Sequence, residues 1–491
     1  MTNQTNPTSS PASASRRTFV KQLSAGMVSS LLAGPRLLQS AESEVSKKPN
    51  LLFICTDQQH WEALGSVDSF FDTPAMDKLA AAGTRFDQTY CTTPQCSPSR
   101  SSLLTGFYPS TTTVYNNTDM TGGNHLAQET IGHHLRAAGY ETAYFGKWHL
   151  GDDSTANAGW DERKINITDP EVTELGLAYL QKKHEQVQQQ PQKPFALFLM
   201  YINPHDIYDY RPEKDVLEPE EVALPDSWHQ DDLSTKPSVQ KRFMTHNQGW
   251  VLHGQKQKYW EEYHQYYRYV VKKVDTEIGR ILDKLDETGL TDSTCRFVTS
   301  DHGDMDTHHR LIYKGPFMYE QMVHVPFIAS IPDQFKTKAT PAVSNDFMLL
   351  TDVVPTLVDF AGGRIPECHG KSLKPFLTGT GSMPKRDYVV SHYYGKQNWI
   401  NPIRMIRTKE FKYNRYIEHG EELYDLRNDP GEIVNLAGQA KYADVQQQLK
   451  SQLDEWIREH EDPFTRSPRM IQRNLTPPSD VRRNCATKLN R

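Results

Sequence analysis

The sequence predicts an α/β domain with a mostly parallel sheet, followed by a smaller α+β domain with an antiparallel sheet. In the first part, continuous apolar runs that suit strands covered on both faces alternate with helical segments. From about Asp387, short strand-like runs follow one another at turn-sized spacing and lead into an amphipathic helix. These two patterns separate the two parts of the chain.

The first strand is predicted over residues 51–55, which form a continuous apolar run. The run ends just before Asp57 and Gln58, and functional side chains belong at such strand ends. A helix is predicted to begin at Pro74, because proline suits the first helical position and the threonine before it suits the cap. This helix is expected to stop at Gly83.

Three further strands are predicted over residues 142–145, 195–202 and 296–300. A long helix, from about 257 to 285, lies between the last two, and its apolar residues recur at helical spacing as a stripe that faces the core. Residues 210–256 carry proline, acidic and amide residues without strong periodicity. They are predicted to form an insertion at the rim of a site.

The C-terminal part is predicted to form strands over residues 388–394, 403–408 and 411–416. The segment ELYDL and an amphipathic helix follow them. The chain therefore divides into four parts. These are an export signal (1–41), a catalytic α/β domain (42–386), an α+β domain (387–463) and a basic tail (464–491).

Composition narrows the class of protein. The 491 residues are 37% hydrophobic and 24% charged, which is ordinary for a soluble globular chain. Lys and Arg number 55 against 61 Asp and Glu, a net charge of −6, so no basic excess favours nucleic acid as a partner. An anionic ligand must therefore meet a local cationic pocket. Six irregularly spaced cysteines indicate neither a disulfide framework nor a zinc site.

The N-terminus resembles a twin-arginine export signal. The first 41 residues lack Asp and Glu, and Arg16-Arg17 precede Phe19 and a mildly apolar stretch that ends near Ala41. That stretch is too short and too rich in Ser and Gly to span a bilayer, which needs about 20 apolar residues. We therefore expect the twin-arginine export machinery as a partner, a periplasmic or secreted protein, and no membrane span in the mature chain.

Two strand ends carry paired metal-ligand candidates. Asp57-Gln58 follows the first strand, and Asp301-His302 follows the strand predicted over 296–300. Two carboxylates and an amide oxygen suit a divalent cation that prefers oxygen ligands. Taken alone, either pair also fits a helix cap or a closed turn, so the metal site depends on the residues around it.

A more specific signal follows the first helix. The segment CSPSRSSLLTG, residues 96–106, resembles the signature of the sulfatase family, C-x-P-S-R followed by T-G. In that family a separate formylglycine-generating enzyme reads C-x-P-x-R and oxidises the cysteine, here Cys96, to formylglycine. The resemblance implies an alkaline-phosphatase-like α/β fold with a smaller C-terminal α+β domain.

Further segments match the family in the same order along the chain. They are GKWHLG at 146–151, NPH at 203–205, SDHGD at 300–304, KGP at 314–316 and ELYDL at 422–426. The resemblance thus extends over nearly the whole mature chain.

The resemblance implies a metal site around Cys96. Asp57, Gln58, Asp301 and His302, with the modified Cys96, would hold a divalent cation, for which calcium is the ion implied. Many members have Asp and Asn where this chain has Gln58 and His302, which weakens the preference for calcium and leaves magnesium or manganese as alternatives. The same departures resemble related phosphonate and phosphate monoester hydrolases. The alternative function is therefore that of a phosphonate or phosphate monoester or diester hydrolase of the same superfamily.

The implied reaction is a nucleophilic substitution in two steps. A hydroxyl of hydrated formylglycine, made more acidic by the metal and Arg100, attacks sulfur, while Lys147 and Lys314 balance charge on the sulfate oxygens. His205 protonates the leaving alcohol, with Lys314 as its competitor, since an unperturbed imidazole has a pKa of about 6.5. The remaining hydroxyl loses its proton to His149, and sulfate leaves as the aldehyde re-forms.

The resemblance implies four substrate-binding residues: Lys147, His205, His309 and Lys314. Export favours an extracellular substrate, and a sulfated carbohydrate is expected. Aromatic residues of the C-terminal domain, Tyr393, Tyr394 and Trp399, are expected to stack on sugar rings. An alternative from another class is a carbohydrate-binding relative with an inactive site, in which Cys96 would stay unmodified.

Overall fold

The computed structural model describes residues 48–118, 120, 123–151, 159–187, 193–212 and 222–465. The predicted export signal and residues 466–491 of the predicted basic tail lie outside these ranges. From Lys48 onward the chain forms one compact unit. No helix within the described ranges is both long and apolar enough to cross a bilayer.

The predicted central sheet is confirmed, with eight mostly parallel strands. In chain order the strands are β1 (Asn50–Asp57), β2 (Thr84–Phe86), β3 (Thr89–Tyr90), β4 (Glu141–Gly146), β5 (Glu162–Ile165), β6 (Phe195–Pro204), β7 (Thr294–Ser300), β8 (Phe327–Ser330), β9 (Val343–Ser344), β10 (Met348–Leu349), β11 (Tyr388–Lys396), β12 (Trp399–Thr408), β13 (Phe411–Tyr416) and β14 (Glu421–Asp425). The central sheet has the order β5-β4-β6-β1-β7-β8-β2-β9. Strand β1 lies in its middle, parallel to β6 and β7.

Helices cover both faces of this sheet. They are α1 (Pro74–Ala81), α2 (Cys96–Thr105), α3 (Pro109–Thr112), α4 (Ile131–Ala137), α5 (Asp169–Val187), α6 (Asp226–Gln230), α7 (Ser238–His246), α8 (Gln257–Glu287), α9 (Glu320–Val323), α10 (Val353–Phe360), α11 (Lys374–Leu377) and α12 (Ala443–Glu459). Short 3-10 turns include His205–Asp209, Gln248–Val251 and His308–Arg310. The apolar stripe of α8 is buried, as its periodicity predicts.

The strands predicted in the first part of the chain all form, and each is longer than its apolar run. The insertion at 210–256 contains α6, α7 and a 3-10 turn among its described residues, although its sequence shows no strong period. Helices of five and nine residues complete too few turns for a 3.6-residue repeat to stand out.

A four-stranded antiparallel sheet, β11-β12-β13-β14, forms the predicted C-terminal part, and α12 packs on it. The ELYDL segment lies within β14 and the turn after it. Its Glu422 is buried and accepts hydrogen bonds from the hydroxyls of Tyr416 and Tyr424. The segment therefore stabilises this sheet.

A buried ionic cluster joins the C-terminal sheet to the first part of the chain. Lys412 on β13 is fully buried, and its Nζ lies 2.6 Å from the carboxylate of Glu320 on α9. The same Nζ lies 2.8 Å from the carboxylate of Glu432 and donates to the carbonyl oxygen of Met318 at 3.0 Å. Such a cluster requires its cation, because a buried carboxylate without a partner is strongly destabilising.

Replacing Lys412 by alanine is therefore expected to lower the free energy of unfolding by about 3–5 kcal/mol, because the buried Glu432 loses its cation and Glu320 keeps only the more distant Arg407, at 3.7 Å. Urea denaturation followed by circular dichroism measures the loss. Lys450→Ala is the control, since Lys450 pairs with Glu421 in a partly exposed position and should cost about 1 kcal/mol or less. Equal losses in the two variants would contradict the proposed importance of the cluster.

Candidate active site

The carboxyl ends of four neighbouring strands, β4, β6, β1 and β7, meet at one edge of the central sheet. The pairing places Asp57 beside Pro204 and Thr56 beside Ser300, so the residues that follow these strands are level with one another. Seven residues predicted from the sequence share this edge: Asp57, Gln58, Lys147, His149, His205, Asp301 and His302. Ligand sites in parallel α/β sheets form at this kind of edge.

Helix α2 brings Cys96 to the same edge, as its first residue. Two serines on the helix fix its position: the Ser97 hydroxyl donates to the carbonyl oxygen of His149 at 2.6 Å, and the Ser99 hydroxyl to that of Asp301 at 2.5 Å. Cys96 is fully buried, and its sulfur lies 3.6 Å from the Asp57 carboxylate. The backbone N–H groups at a helix start favour negative charge there.

Arg100 connects the two aspartates. Its Nε donates to Asp301 at 2.8 Å, and its Nη2 to Asp57 at 3.0 Å. A third donor, Nη1, reaches the carbonyl oxygen of Lys147 at 2.9 Å. The side chains of Arg100, Asp57 and Asp301 are fully buried. Burial by itself lowers the pKa of Arg100, but the two carboxylates outweigh it and raise that pKa.

Cationic side chains surround the sulfur of Cys96. The Nζ of Lys314 lies 2.8 Å from it and that of Lys147 lies 3.6 Å away. Lys147 also pairs with the Asp57 carboxylate at 2.6 Å. Burial alone would raise the pKa of the Cys96 thiol, but Lys147 and Lys314 outweigh it and hold the pKa well below its usual range. Position 96 therefore lies in a strongly positive potential.

Two histidines face this position from β4 and β6. Burial, together with Lys147 and Lys314, lowers the pKa of His205 to about 4, so that its imidazole is neutral near pH 7. An anion bound between the two lysines would offset their effect and let His205 hold a proton. His149 has a left-handed backbone, with φ of 57°, and its buried Nδ1 finds no hydrogen-bond partner among the described residues.

The side chains that the sequence predicts as metal ligands fit a divalent cation. Asp57, Cys96, Asp301 and His302 offer ligand atoms that all lie within 4.8 Å of one another. His302 lies with Nδ1 2.9 Å from the carbonyl oxygen of Gly303, which assigns the proton to Nδ1 and leaves Nε2 to face the site. Two carboxylates and an imidazole, converging in this way, are a donor set that binds such ions.

Gln58 belongs to the same donor set. Its Oε1 and the Nε2 of His302 lie 2.8 and 3.2 Å from the Lys314 ammonium, so both atoms already point toward a cation. Burial and the neighbouring Asp57 carboxylate raise the pKa of Asp301 to about 6. A bound cation would relieve this repulsion between the carboxylates.

His309 lies apart from these residues. Its Nδ1 is 2.8 Å from the carboxylate of Asp231, and its ring stacks on Tyr319 with 3.9 Å between ring centroids. The side chain is only 1% exposed and does not line the cavity beside Cys96 within the described structure. The position of His309 therefore gives no support to its predicted contact with substrate.

The expectation that Tyr393, Tyr394 and Trp399 stack on sugar rings is wrong. These side chains are 1, 9 and 3% exposed; Tyr393 and Trp399 lie in the hydrophobic core, and Tyr394 packs against Tyr115. Both faces of β11 are covered. A strand-like run of residues does not show whether a second layer covers the outer face of its sheet.

A cavity of about 500 Å³ opens beside His205 and Lys314. The insertion contributes Arg211 and Trp250 to its lining, and the end of β11 contributes Lys396. Aromatic rings and cations therefore line the cavity next to Lys314, whose ammonium lies 2.8 Å from the sulfur of Cys96. The insertion thus lines the cavity, whereas the sequence predicts it at the rim of a site.

Lys396 had no recognisable signal in the sequence. Its Nζ donates to the hydroxyl of Tyr208 at 2.8 Å and to the carbonyl oxygen of Lys314. It therefore supports the loop that carries Lys314, from a strand residue that lies 82 positions further along the chain. Asp304 is a second residue for which the sequence predicts no role, although it lies within the matched segment SDHGD.

A family model described as Sulfatase matches residues 49–363, which is more than half of the chain. The chain belongs to the sulfatase family. A second model, described as N-sulphoglucosamine sulphohydrolase, C-terminal, matches residues 308–459 of this sulfatase. The predicted α/β fold with a C-terminal antiparallel sheet is that of solved sulfatases.

Named relatives of this sulfatase act on sulfated sugars. A Delta 4,5-hexuronate-2-O-sulfatase of Bacteroides thetaiotaomicron is 29% identical over 87% of this chain and 92% of its own length. An N-acetylglucosamine-6-O-sulfatase of the same organism is 28% identical over 86% and 88%. A solved 2-O GAG sulfatase is 27% identical, with a TM-score of 0.76 over 85% of this chain and 93% of that one. The protein is thus a sulfuric ester hydrolase.

Arg100→Met tests the link between the two aspartates. Without metal, it is expected to lower the free energy of unfolding by about 3–5 kcal/mol, because the buried Asp301 loses its arginine partner and Asp57 keeps only Lys147. Added calcium should restore part of the loss by neutralising the same carboxylates. Stability is the proper readout, since Arg100 also belongs to the C-x-P-x-R motif, which the family resemblance connects with oxidation of the cysteine.

Urea titrations with and without calcium measure these effects. Arg280→Met is the matched control, because Arg280 pairs with Glu174 and Glu277 on the surface and should cost about 1 kcal/mol or less. A metal-free Arg100→Met protein as stable as wild type would contradict the role assigned to this arginine.

Proposed function

We propose that this sulfatase uses formylglycine made from Cys96, with a divalent cation, to remove sulfate from a sulfated carbohydrate. The observation that supports the nucleophile most directly is the position of Cys96. It begins α2 at the carboxyl edge of the sheet, and the ammonium groups of Lys314 and Lys147 lie 2.8 and 3.6 Å from its sulfur. Family membership and the C-x-P-x-R motif support its conversion to formylglycine.

Each residue around position 96 has a separate role in the proposed reaction. Lys147 and Lys314 bind the nonbridging sulfate oxygens, whose charge persists in the transition state. His205 gives a proton to the leaving alcohol once the bound anion has raised its proton affinity. His149 accepts the proton of the second hydroxyl at position 96, so that the aldehyde re-forms and sulfate leaves. A nucleophile that regenerates itself needs no separate hydrolysis of an ester bond.

Asp57, Gln58, Asp301 and His302 would hold the cation, for which calcium is our first choice. When bound, such an ion stabilises negative charge on sulfate and on the attacking oxygen. Arg100 keeps the two aspartates in place from the opposite side. The buried carboxylates and the orientation of His302 support this assignment.

A sulfated carbohydrate, and among these a glycosaminoglycan unit, is the substrate class that the named relatives support. The cavity supports it as well, because the partly exposed Tyr208 and Trp250 offer rings and Arg211 and Lys396 offer positive charge. Rings that stack on sugar faces and cations that meet anionic groups are suited to such a ligand.

We further propose that the protein is exported by the twin-arginine route to the periplasm or beyond. The support is Arg16-Arg17, the acid-free segment around them and the mildly apolar stretch that follows. This route carries folded proteins, so that oxidation of Cys96 and metal binding would both precede export.

Cys96→Ala should reduce turnover of an aryl sulfate by about 10⁴-fold or more, as loss of a nucleophile does in other hydrolases. Wild-type protein coexpressed with a formylglycine-generating enzyme should show an aldehyde at position 96 by peptide mass spectrometry. Cys368→Ala, at a half-buried cysteine outside the motif, should keep wild-type activity. Full turnover by Cys96→Ala would refute the proposal.

The same preparation decides between the alternatives. Its kcat/KM on an aryl sulfate should exceed that on an aryl phosphonate, and sulfated saccharides should release inorganic sulfate. The reverse ratio would favour a phosphonate hydrolase. An unmodified Cys96 with binding of sugar but no turnover would favour the inactive carbohydrate-binding relative.

Replacing Arg16 and Arg17 together by lysine should keep the protein in the cytoplasm of a bacterial host that has the twin-arginine machinery. Cell fractionation with immunoblotting measures the distribution. Arg36→Lys, which preserves charge outside the arginine pair, is the control and should be exported. An unchanged periplasmic fraction for the double variant would contradict the twin-arginine assignment.

A further inference from the structure

We propose that Asp304 is a positioning residue that fixes the amide of Gln58 with its oxygen toward the cation site. The inference rests on the proposed metal site and adds a residue behind it. Asp304 does not face position 96 in its described contacts. It acts through one hydrogen bond, in which the Nε2 of Gln58 donates to the Oδ2 of Asp304 at 2.6 Å.

The neighbours of Gln58 leave one orientation for its amide. An ammonium can only donate, and the Nζ of Lys314 lies 2.8 Å from Oε1. A carboxylate accepts, and it lies on the nitrogen side. Reversing the amide would place two donors against each other at Lys314 and two acceptors against each other at Asp304. The carboxylate therefore selects which atom Gln58 offers to a cation.

Asp304 is itself held firmly. It is fully buried, and its Oδ1 accepts hydrogen bonds from the backbone N–H of Asp306 at 2.8 Å and the hydroxyl of Tyr263 at 3.3 Å. All these partners donate, so both oxygens of the side chain are required as acceptors. An asparagine at this position would turn one acceptor into a donor and oppose one of the partners.

The backbone of Gln58 is fixed as well. Its φ is 73°, in the left-handed region that non-glycine residues seldom adopt. The carbonyl oxygen accepts from the hydroxyl of Tyr267 at 2.8 Å, and the N–H donates to Asp301 at 3.2 Å. Because main chain and amide are both restrained, the direction of Oε1 depends on the bond to Asp304.

The arrangement also sets the position of a negative charge. An amide stands at position 58, and the carboxylate of Asp304 lies one hydrogen bond behind it. Among the described contacts of the Lys314 ammonium, none is a carboxylate: they are Gln58, Cys96, His302 and the ring of Tyr208. The Lys314 charge is thus available for the sulfate, while Asp304 still polarises the amide that would hold the metal.

Asp304→Asn should weaken calcium binding by about 10- to 100-fold, the usual effect of losing a partner of a metal ligand. The measurement is isothermal titration of chelator-stripped full-length protein with calcium chloride. Asp275→Asn is the control: Asp275 is buried and accepts from the N–H groups of Ala75 and Met76 at α1, away from the metal site. Its calcium affinity should equal that of wild type.

Exchanging the amide of Gln58 and the carboxylate of Asp304 between the two positions distinguishes a positioning role of Asp304 from mere support of the fold. Gln58→Glu alone sets two carboxylates against each other and should also weaken binding. The double variant Gln58→Glu/Asp304→Asn restores a donor facing an acceptor, so its affinity should return to within about threefold of wild type, a non-additive result typical of residues in contact. A double variant no better than the weaker single variant would overturn the proposal.

These outcomes distinguish a failure of the role of Asp304 from a failure of the metal site itself. Wild-type protein that binds calcium as tightly as Asp304→Asn does would overturn the role of Asp304 and leave the proposed function intact. Wild-type protein that binds no divalent cation would overturn the metal site and this inference together. Should Asp304→Asn not fold, Gln58→Glu and the double variant give the same comparison.

Discussion

The bridge that Arg100 makes between Asp57 and Asp301 governs this active site. The two aspartates end neighbouring strands, and their buried carboxylates would repel each other without a cation between them. The helix that brings the arginine also begins with Cys96, four residues earlier, and residues spaced by four share one helix face. The electrostatic requirement of the strands therefore fixes the position of Cys96.

The pairing of the two aspartates with cations also explains why the site prefers an anion. Arg100 and Lys147 are already paired with carboxylates, whereas the ammonium of Lys314 faces an amide, an imidazole and the Cys96 sulfur. An arriving sulfate would meet this unbalanced charge at the start of α2, where backbone N–H groups add to it. The acidity of the chain as a whole, with a net charge of −6, does not oppose binding, because the positive potential is local.

The sequence predicted the central strands and the residues at their ends, since continuous apolar runs mark buried parallel strands and Asp57 and Asp301 directly follow two of them. It also predicted, by family resemblance, that Cys96, Arg100, Lys147 and Lys314 come together. It failed for the rings of Tyr393 and Trp399, because a strand-like run says nothing about what covers the sheet. The roles of Lys396 and Asp304 depend on contacts between distant or layered segments, which no local pattern encodes.

The most direct test of this account is a crystal structure of the protein produced with a formylglycine-generating enzyme and grown with calcium. The account predicts oxygen in place of sulfur at position 96, and an anomalous peak for a cation bounded by Asp57, Gln58, Asp301 and His302. A cysteine that keeps its sulfur in fully active protein, with no cation between the two aspartates, would contradict it.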